Sequence, residues 1–228
     1  MMNRRQRRHH LQPPGTPPPP PAGLATSLAP ATVSGVAEDH AYEQFFFDDS
    51  TVETLLTLLS RYRRPLLFCA PSVAVAASKA GLPYRLLDRD DRFGFLEGFR
   101  VFSIERAEQL AVQCVGDYDY DAVLCDPPFS NIEVQQVRDV LDILASAGSD
   151  EQERRRRARA PLYFAFNQKR ESELLRSFGD RQLVGKAALG YASVRQKTQK
   201  ALCLYHFEAA AANVDPSSGP TLPKRDPE

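Results

Sequence analysis

Ala122-Val123-Leu124-Cys125-Asp126-Pro127-Pro128-Phe129 is the stretch from which the fold is read. Its four apolar residues make a run of strand length, and the acid and two prolines that follow cannot extend a strand. Beyond the loop, Glu133 to Ala147 sets Val134, Val137, Val140, Leu141 and Leu144 at helical spacing. A buried strand, a loop and an amphipathic helix form the unit from which parallel sheets with crossover helices are built. In such sheets ligands gather outside the carboxyl ends of the strands, where Asp126 falls.

The same alternation recurs on both sides of this unit. Upstream, a helix is expected over Ser50 to Tyr62, capped by Asp48, Asp49 or Ser50, with Glu53 placed to complete a capping box with Ser50. Leu66 to Ala70 reads as a strand ended by Pro71, and Ser72 to Ala80 as a helix stopped by Gly81. Tyr84 to Asp88 and Arg100 to Ser103 are two further strands, with a helix over Glu105 to Gln113. Downstream, a strand over Leu162 to Phe166 leads to a helix over Lys169 to Phe178. Gln182 to Leu189 and Ala201 to Phe207 then suit an antiparallel pair at the sheet edge. The expected class is α/β, with seven strands.

Composition limits the function classes. Lysine plus arginine and aspartate plus glutamate both total 29, so no global field would hold the chain on nucleic acid or an anionic membrane. The four cysteines, Cys69, Cys114, Cys125 and Cys203, have neither zinc-knuckle nor disulfide-framework spacing, and reduced, buried thiols are expected. No metal site is indicated. No apolar run is long enough to span a bilayer. Residues 1–40 read as a disordered basic and proline-rich tail, residues 41–208 as the domain and residues 209–228 as a second disordered tail. A monomer in the cytoplasm is the expectation, with an organelle transit peptide as the alternative reading of the acid-free start. The arginine run from Arg154 to Arg159 is expected to be a solvated helix end or loop, with Glu151 and Glu153 nearby.

The loop can handle an amine. Asp126 can accept one N–H and the Pro127 carbonyl another, which turns the nitrogen lone pair away from the loop. Pro127 and Pro128 stiffen the backbone and remove competing donors. Phe129 offers an aromatic face to a developing cation, a contribution of roughly 0.5–2 kcal/mol. The same residues also suit a plain turn in which Asp126 caps the next helix.

Four blocks occur in a recognisable order: Gln44-Phe45-Phe46-Phe47, Ala70-Pro71-Ser72-Val73, Asp88-Arg89-Asp90-Asp91-Arg92-Phe93 and the Asp-Pro-Pro-Phe loop. Together, over about residues 42–207, they resemble the N6-adenine-methyltransferase-like proteins, a family that includes eukaryotic lysine methyltransferases acting on a translation elongation factor. The resemblance implies a Rossmann-like methyltransferase fold with a mostly parallel seven-stranded sheet and an antiparallel edge strand. It implies S-adenosylmethionine as cofactor. Asp126, Pro127, Pro128 and Phe129 would be catalytic, and Ala70, Pro71, Ser72, Asp88, Asp90 and Phe46 would bind the cofactor. Asp88 is the first choice for the ribose, with Asp90 and Arg92 as an alternative clamp on each other. A protein substrate carrying a target lysine is the expected partner; adenine in RNA or DNA, and an inactive binding module, are the alternatives. No role carries over to Arg195, Lys197 and Lys200, where the family pattern differs.

Overall fold

A computed structural model describes residues 29–128 and 132–210. Phe129 and the tail segments 1–28 and 211–228 lie outside the described residues. The elements are a small hairpin of β1 (Thr32–Val33) and β2 (Val36–Ala37), α1 (Asp49–Leu59), β3 (Pro65–Phe68), α2 (Pro71–Lys79), β4 (Arg85–Asp88) and β5 (Phe99–Val101). They continue with α3 (Ala107–Val115), β6 (Ala122–Cys125), α4 (Val134–Ser146), α5 (Glu151–Ala158) and β7 (Leu162–Asn167). The chain closes with α6 (Glu171–Ser177), β8 (Arg181–Ala188), α7 (Gln196–Gln199) and β9 (Leu202–Ala209).

Seven strands form one sheet in the order β5-β4-β3-β6-β7-β9-β8. From β3 to β7 every pairing is parallel, and β9 runs antiparallel to both β7 and β8. The expected antiparallel edge is therefore a hairpin whose reversed strand, β9, lies one place inside the rim. Helices cover both faces, so the parallel strands bury both sets of side chains and read as unbroken apolar runs. Phe68, Val123 and Phe164 face Val137, Val140 and Leu174 on one side. Leu67, Leu124 and Ala165 face Leu55, Val73 and Ala74 on the other.

This topology positions the site. The chain leaves β3 in one direction to build β4 and β5, then returns to place β6 on the other side of β3, creating a crevice at the strand ends. Phe68 pairs with Cys125, so Cys69 and Asp126 leave the sheet side by side. The Asp126 N–H donates to the Phe68 carbonyl at 2.9 Å and the Cys69 N–H to the Leu87 carbonyl at 2.9 Å.

One expectation needs correction, and two readings left open are narrowed. Residues 31–40 belong with the domain rather than the tail: Ala31, Val33 and Val36 pack on the core and Glu38 is buried. The carboxylate of Glu38 accepts from the N–H groups of Ala31 and Phe46 and ties this strap down. Of the three caps expected for α1, Asp48 fills the role by accepting from the Thr51 N–H at 2.8 Å; the helix starts at Asp49, so Ser50 lies inside it and cannot form the expected capping box with Glu53. Of the two readings of the arginine run, the helix end is the one found: Arg154 to Arg157 lie in α5 and Arg159 caps it, and the run departs from the expected solvation fully only at Arg157. Arg157 is buried, and its guanidinium donates to the carbonyls of Val115 and Tyr118 and to Glu153. Those carbonyls at the end of α3 need donors, which a lone exposed run would not supply.

Candidate active site

A cavity of about 350 Å³ opens at the carboxyl ends of β3, β4 and β6. Its walls include Asp88, Asp126, Pro127 and Pro128 from the strand ends, Asp39 and Tyr42 to Phe45 from the strap, and Tyr191 from the β8–β9 connection. The size falls within the range of small-molecule sites.

Asp126 follows β6 directly, so its backbone is fixed by the sheet. The Tyr191 hydroxyl donates to Asp126 Oδ1 at 2.7 Å. Burial pushes the Asp126 carboxyl up to about 8 against the lowering pull of that hydrogen bond, and the charge of Asp88 adds to the rise. The Tyr191 phenol is in turn pushed well above its ordinary value, first by burial and then by the Asp126 charge, so it keeps its proton as the donor.

Asp88 ends β4 and is buried. Its Oδ1 accepts from the Asp90 N–H at 2.9 Å. Burial raises its carboxyl to about 6, partly offset by that backbone hydrogen bond, so it is ionised at neutral pH. Asp90 is committed elsewhere. Arg92 grips it through Nε at 2.8 Å and Nη2 at 2.7 Å, and Gln44 Nε2 donates to it at 2.8 Å. Arg92 also donates to Gln44 Oε1, so the clamp fastens the strap to the loop after β4. Desolvation opposes ionisation of Asp90, but the Arg92 and Gln44 hydrogen bonds outweigh it and hold its pKa below the usual value.

Asp88, Asp90, Asp126, Pro127 and Pro128 thus come together around one cavity, with Asp90 paired to Arg92 and Asp88 accepting from the Asp90 N–H. Ala70, Pro71 and Ser72 form the turn into α2 just behind the wall, where Cys69 is the residue that reaches the cavity. Cys69 holds φ at 57°, a left-handed conformation unusual for a side chain of its kind, at the point where a glycine turn would be relaxed. The Ala70 cap position makes no side-chain hydrogen bond, which leaves the first N–H groups of α2 uncapped by the chain. Phe46 is fully buried and packs edge-on against Phe93; Phe45, its neighbour, lines the cavity instead.

Tyr191 had no sequence signal of its own. Gly190 before it was the hint available: a Cβ there would lie 1.9 Å from Asp48 Oδ2, so the connection passes tightly against the start of α1. Arg195, Lys197 and Lys200 are exposed on this same connection. Among the described residues no group of three His, Cys, Asp or Glu side chains could hold a metal ion, and no helix is long and apolar enough to cross a membrane.

A family model described as probable N6-adenine methyltransferase matches residues 38–188. No curated protein matches the chain. Among solved structures, N-methyltransferase NodS from Bradyrhizobium japonicum WM9 is similar at 14% identity, over 71% of this chain and 98% of that one, with a TM-score of 0.46. A putative methyltransferase from Escherichia coli is similar at 14% identity, over 77% and 92%, with a TM-score of 0.45. A Thermoplasma acidophilum protein is similar at 14% identity, over 75% and 92%, with a TM-score of 0.44.

Proposed function

The chain belongs to the probable N6-adenine methyltransferase family, and from that premise we propose that it is an S-adenosylmethionine-dependent N-methyltransferase that modifies a protein lysine. The observation that carries this reading is the pair of carboxylates, Asp88 and Asp126, at the ends of the two strands flanking β3 and on one cavity wall. Bound S-adenosylmethionine would supply an electrophilic methyl group on a sulfonium. The residues present fit it. Asp88, ionised at neutral pH, can accept from both ribose hydroxyls. The uncapped N–H groups at the start of α2 suit the carboxylate of the methionine end.

The acceptor nitrogen would be held by the Asp126 carboxylate and the Pro127 carbonyl, which orients its lone pair for in-line attack. A lysine enters as an ammonium and must lose a proton first. A carboxyl held at about 8 is largely protonated at neutral pH, so the ionised form that takes the lysine proton grows as pH rises toward that value. Once ionised it is a stronger base than an ordinary carboxylate, and exclusion of water from the cavity lowers the lysine's own hold on its proton. Charge separates lysine from adenine. The wall carries Asp39, Glu43, Asp88, Asp90 and Asp91 against Arg89 and Arg92, an arrangement that favours cations over a phosphate backbone.

Adenine is the second reading. The family description and the acid-free connection bearing Arg195, Lys197 and Lys200 favour it. Labelled-methyl transfer into a lysate, with protease and nuclease treatment in parallel, separates the two. Label lost to protease alone is the expected result, and label lost to nuclease alone overturns the lysine reading. Asp126→Ala should abolish transfer and keep cofactor binding within a fewfold; a wild-type chain that transfers to neither pool would make it a binding module.

A further inference from the structure

We infer that Tyr191 is a positioning residue, which fixes the rotamer and the proton affinity of the Asp126 carboxylate from the far side of the cavity. This rests on Asp126 being the group that holds the acceptor amine. Asp126 sits on a loop stiffened by two prolines, but its side chain still has two torsions to set. The Tyr191 hydroxyl sets them by donating to Oδ1 at 2.7 Å, which leaves Oδ2 with no partner among the described residues. A carboxylate with one oxygen anchored presents the other in a defined direction, and a reacting nitrogen needs that direction.

Tyr191 is itself held on every side. Its ring lies 4.8 Å from that of Phe47, and its backbone bridges to Phe47. Its carbonyl accepts from Gln199 Nε2 at 2.7 Å, which ties it to α7. Gly190 hydrogen-bonds both ways to the start of α1, through its N–H to Thr51 and its carbonyl from Asp48. The hydroxyl's single proton is spent on Asp126, so it cannot also donate to a substrate. The other titratable groups set against Asp126 are Asp88 from β4, Cys69 after β3 and Cys125 of β6, with Arg89 beyond Cys69. None of these is a hydrogen-bond donor to it in the structure, so loss of the phenol is not made good by a neighbour.

The test is Tyr191→Phe in the full chain, with the Asp126 carboxyl followed by ¹³C NMR on aspartate-labelled protein and assigned by its loss in Asp126→Asn. Removal of a donor to a carboxylate raises its midpoint, here by about one pH unit. Turnover should fall about tenfold or more, with KM for S-adenosylmethionine within twofold and the acid limb of the pH–rate profile moved up by the same interval. Incorporation of 3-fluorotyrosine into the unaltered chain, a stronger phenol donor, should move the midpoint down, and this arm stands even where the Phe variant fails to fold. An unmoved Asp126 midpoint in either arm overturns the inference. So does a loss of turnover that comes with a proportional rise in KM for the cofactor and an unmoved acid limb. A wild-type chain that transfers no methyl group while the midpoints move as expected would sink the lysine methyltransferase reading and leave the hold of Tyr191 on Asp126 supported.

Discussion

Gly190→Ala probes the contact on which the site's far wall depends. The new Cβ would lie 1.9 Å from Asp48 Oδ2, 2.9 Å from Oδ1 and 2.6 Å from Cγ, so Asp48 must swing away from its place. Asp48 is the N-cap of α1, and loss of a cap costs about 1 kcal/mol, with a range of roughly 0.5–2. The overpacking that remains costs about 1–3 kcal/mol. A total of about 2–4 kcal/mol follows, and at roughly 2–4 °C per kcal/mol for a chain of this length the midpoint of thermal unfolding should drop by about 5–15 °C. The two costs share one cause, which a double-mutant cycle exposes. Asp48→Ala alone should lose only the cap, about 1 kcal/mol. In that background Gly190→Ala should add less than about 1 kcal/mol, since the clashing carboxylate is gone. Urea unfolding of the four chains, with methyl transfer measured on each, checks this. Additive costs, or a Gly190→Ala chain that melts within 2 °C of wild type, would refute the close approach and the placement of Tyr191 that follows from it.

Three further outcomes are expected. Asp126 carries its proton in the folded state up to about 8, whereas its ordinary value is 3.8, so it withdraws stability as pH rises through that window. Asp126→Asn should therefore stabilise the chain at pH 9, by more than about 1 kcal/mol, and give no gain below pH 4, as thermal melts across pH would show; equal effects at both ends would contradict the raised carboxyl. Arg157→Ala removes the buried cation that pairs with Glu153 Oε1 and donates to the Val115 and Tyr118 carbonyls, and should cost about 3–5 kcal/mol, against less than about 0.5 for Arg155→Ala on the exposed side of the same helix. Arg92→Ala opens the clamp between the strap and β4, leaving Asp90 to push the neighbouring Asp88 carboxyl up. KM for S-adenosylmethionine should rise about five- to tenfold, the scale of one charge-assisted hydrogen bond, with turnover little changed.

What the sequence disclosed and what it hid divide along one physical line. The parallel strands are buried on both faces, so each is a short apolar run that can be read without knowing its neighbours, and Pro65–Phe68 and Ala122–Cys125 stand out on that ground. Asp126 is legible because a strand end followed by two prolines is a local statement. Phe45 and Phe46 could not be told apart, since adjacent aromatics differ only in which one the strap turns inward, and the buried Glu38 decides that by anchoring the Phe46 N–H. Arg157 looked like its neighbours, although its spacing four residues after Glu153 on a helix was a usable signal. Tyr191 reaches Asp126 across 65 residues, by way of a hairpin whose register shifts between Leu183 and Gly185. No local pattern carries such a contact. On the proposed function, the side of the cavity that would hold the cofactor is built from strand ends that a pattern can mark, while the side that would hold the acceptor is closed by a connection whose place is set by long-range register. That asymmetry is why methyl-donor chemistry can be read along this chain more readily than the nitrogen that receives the methyl, and why the β8–β9 connection, with Tyr191 facing in and Arg195, Lys197 and Lys200 facing out, is where substitutions should change the acceptor without changing the donor.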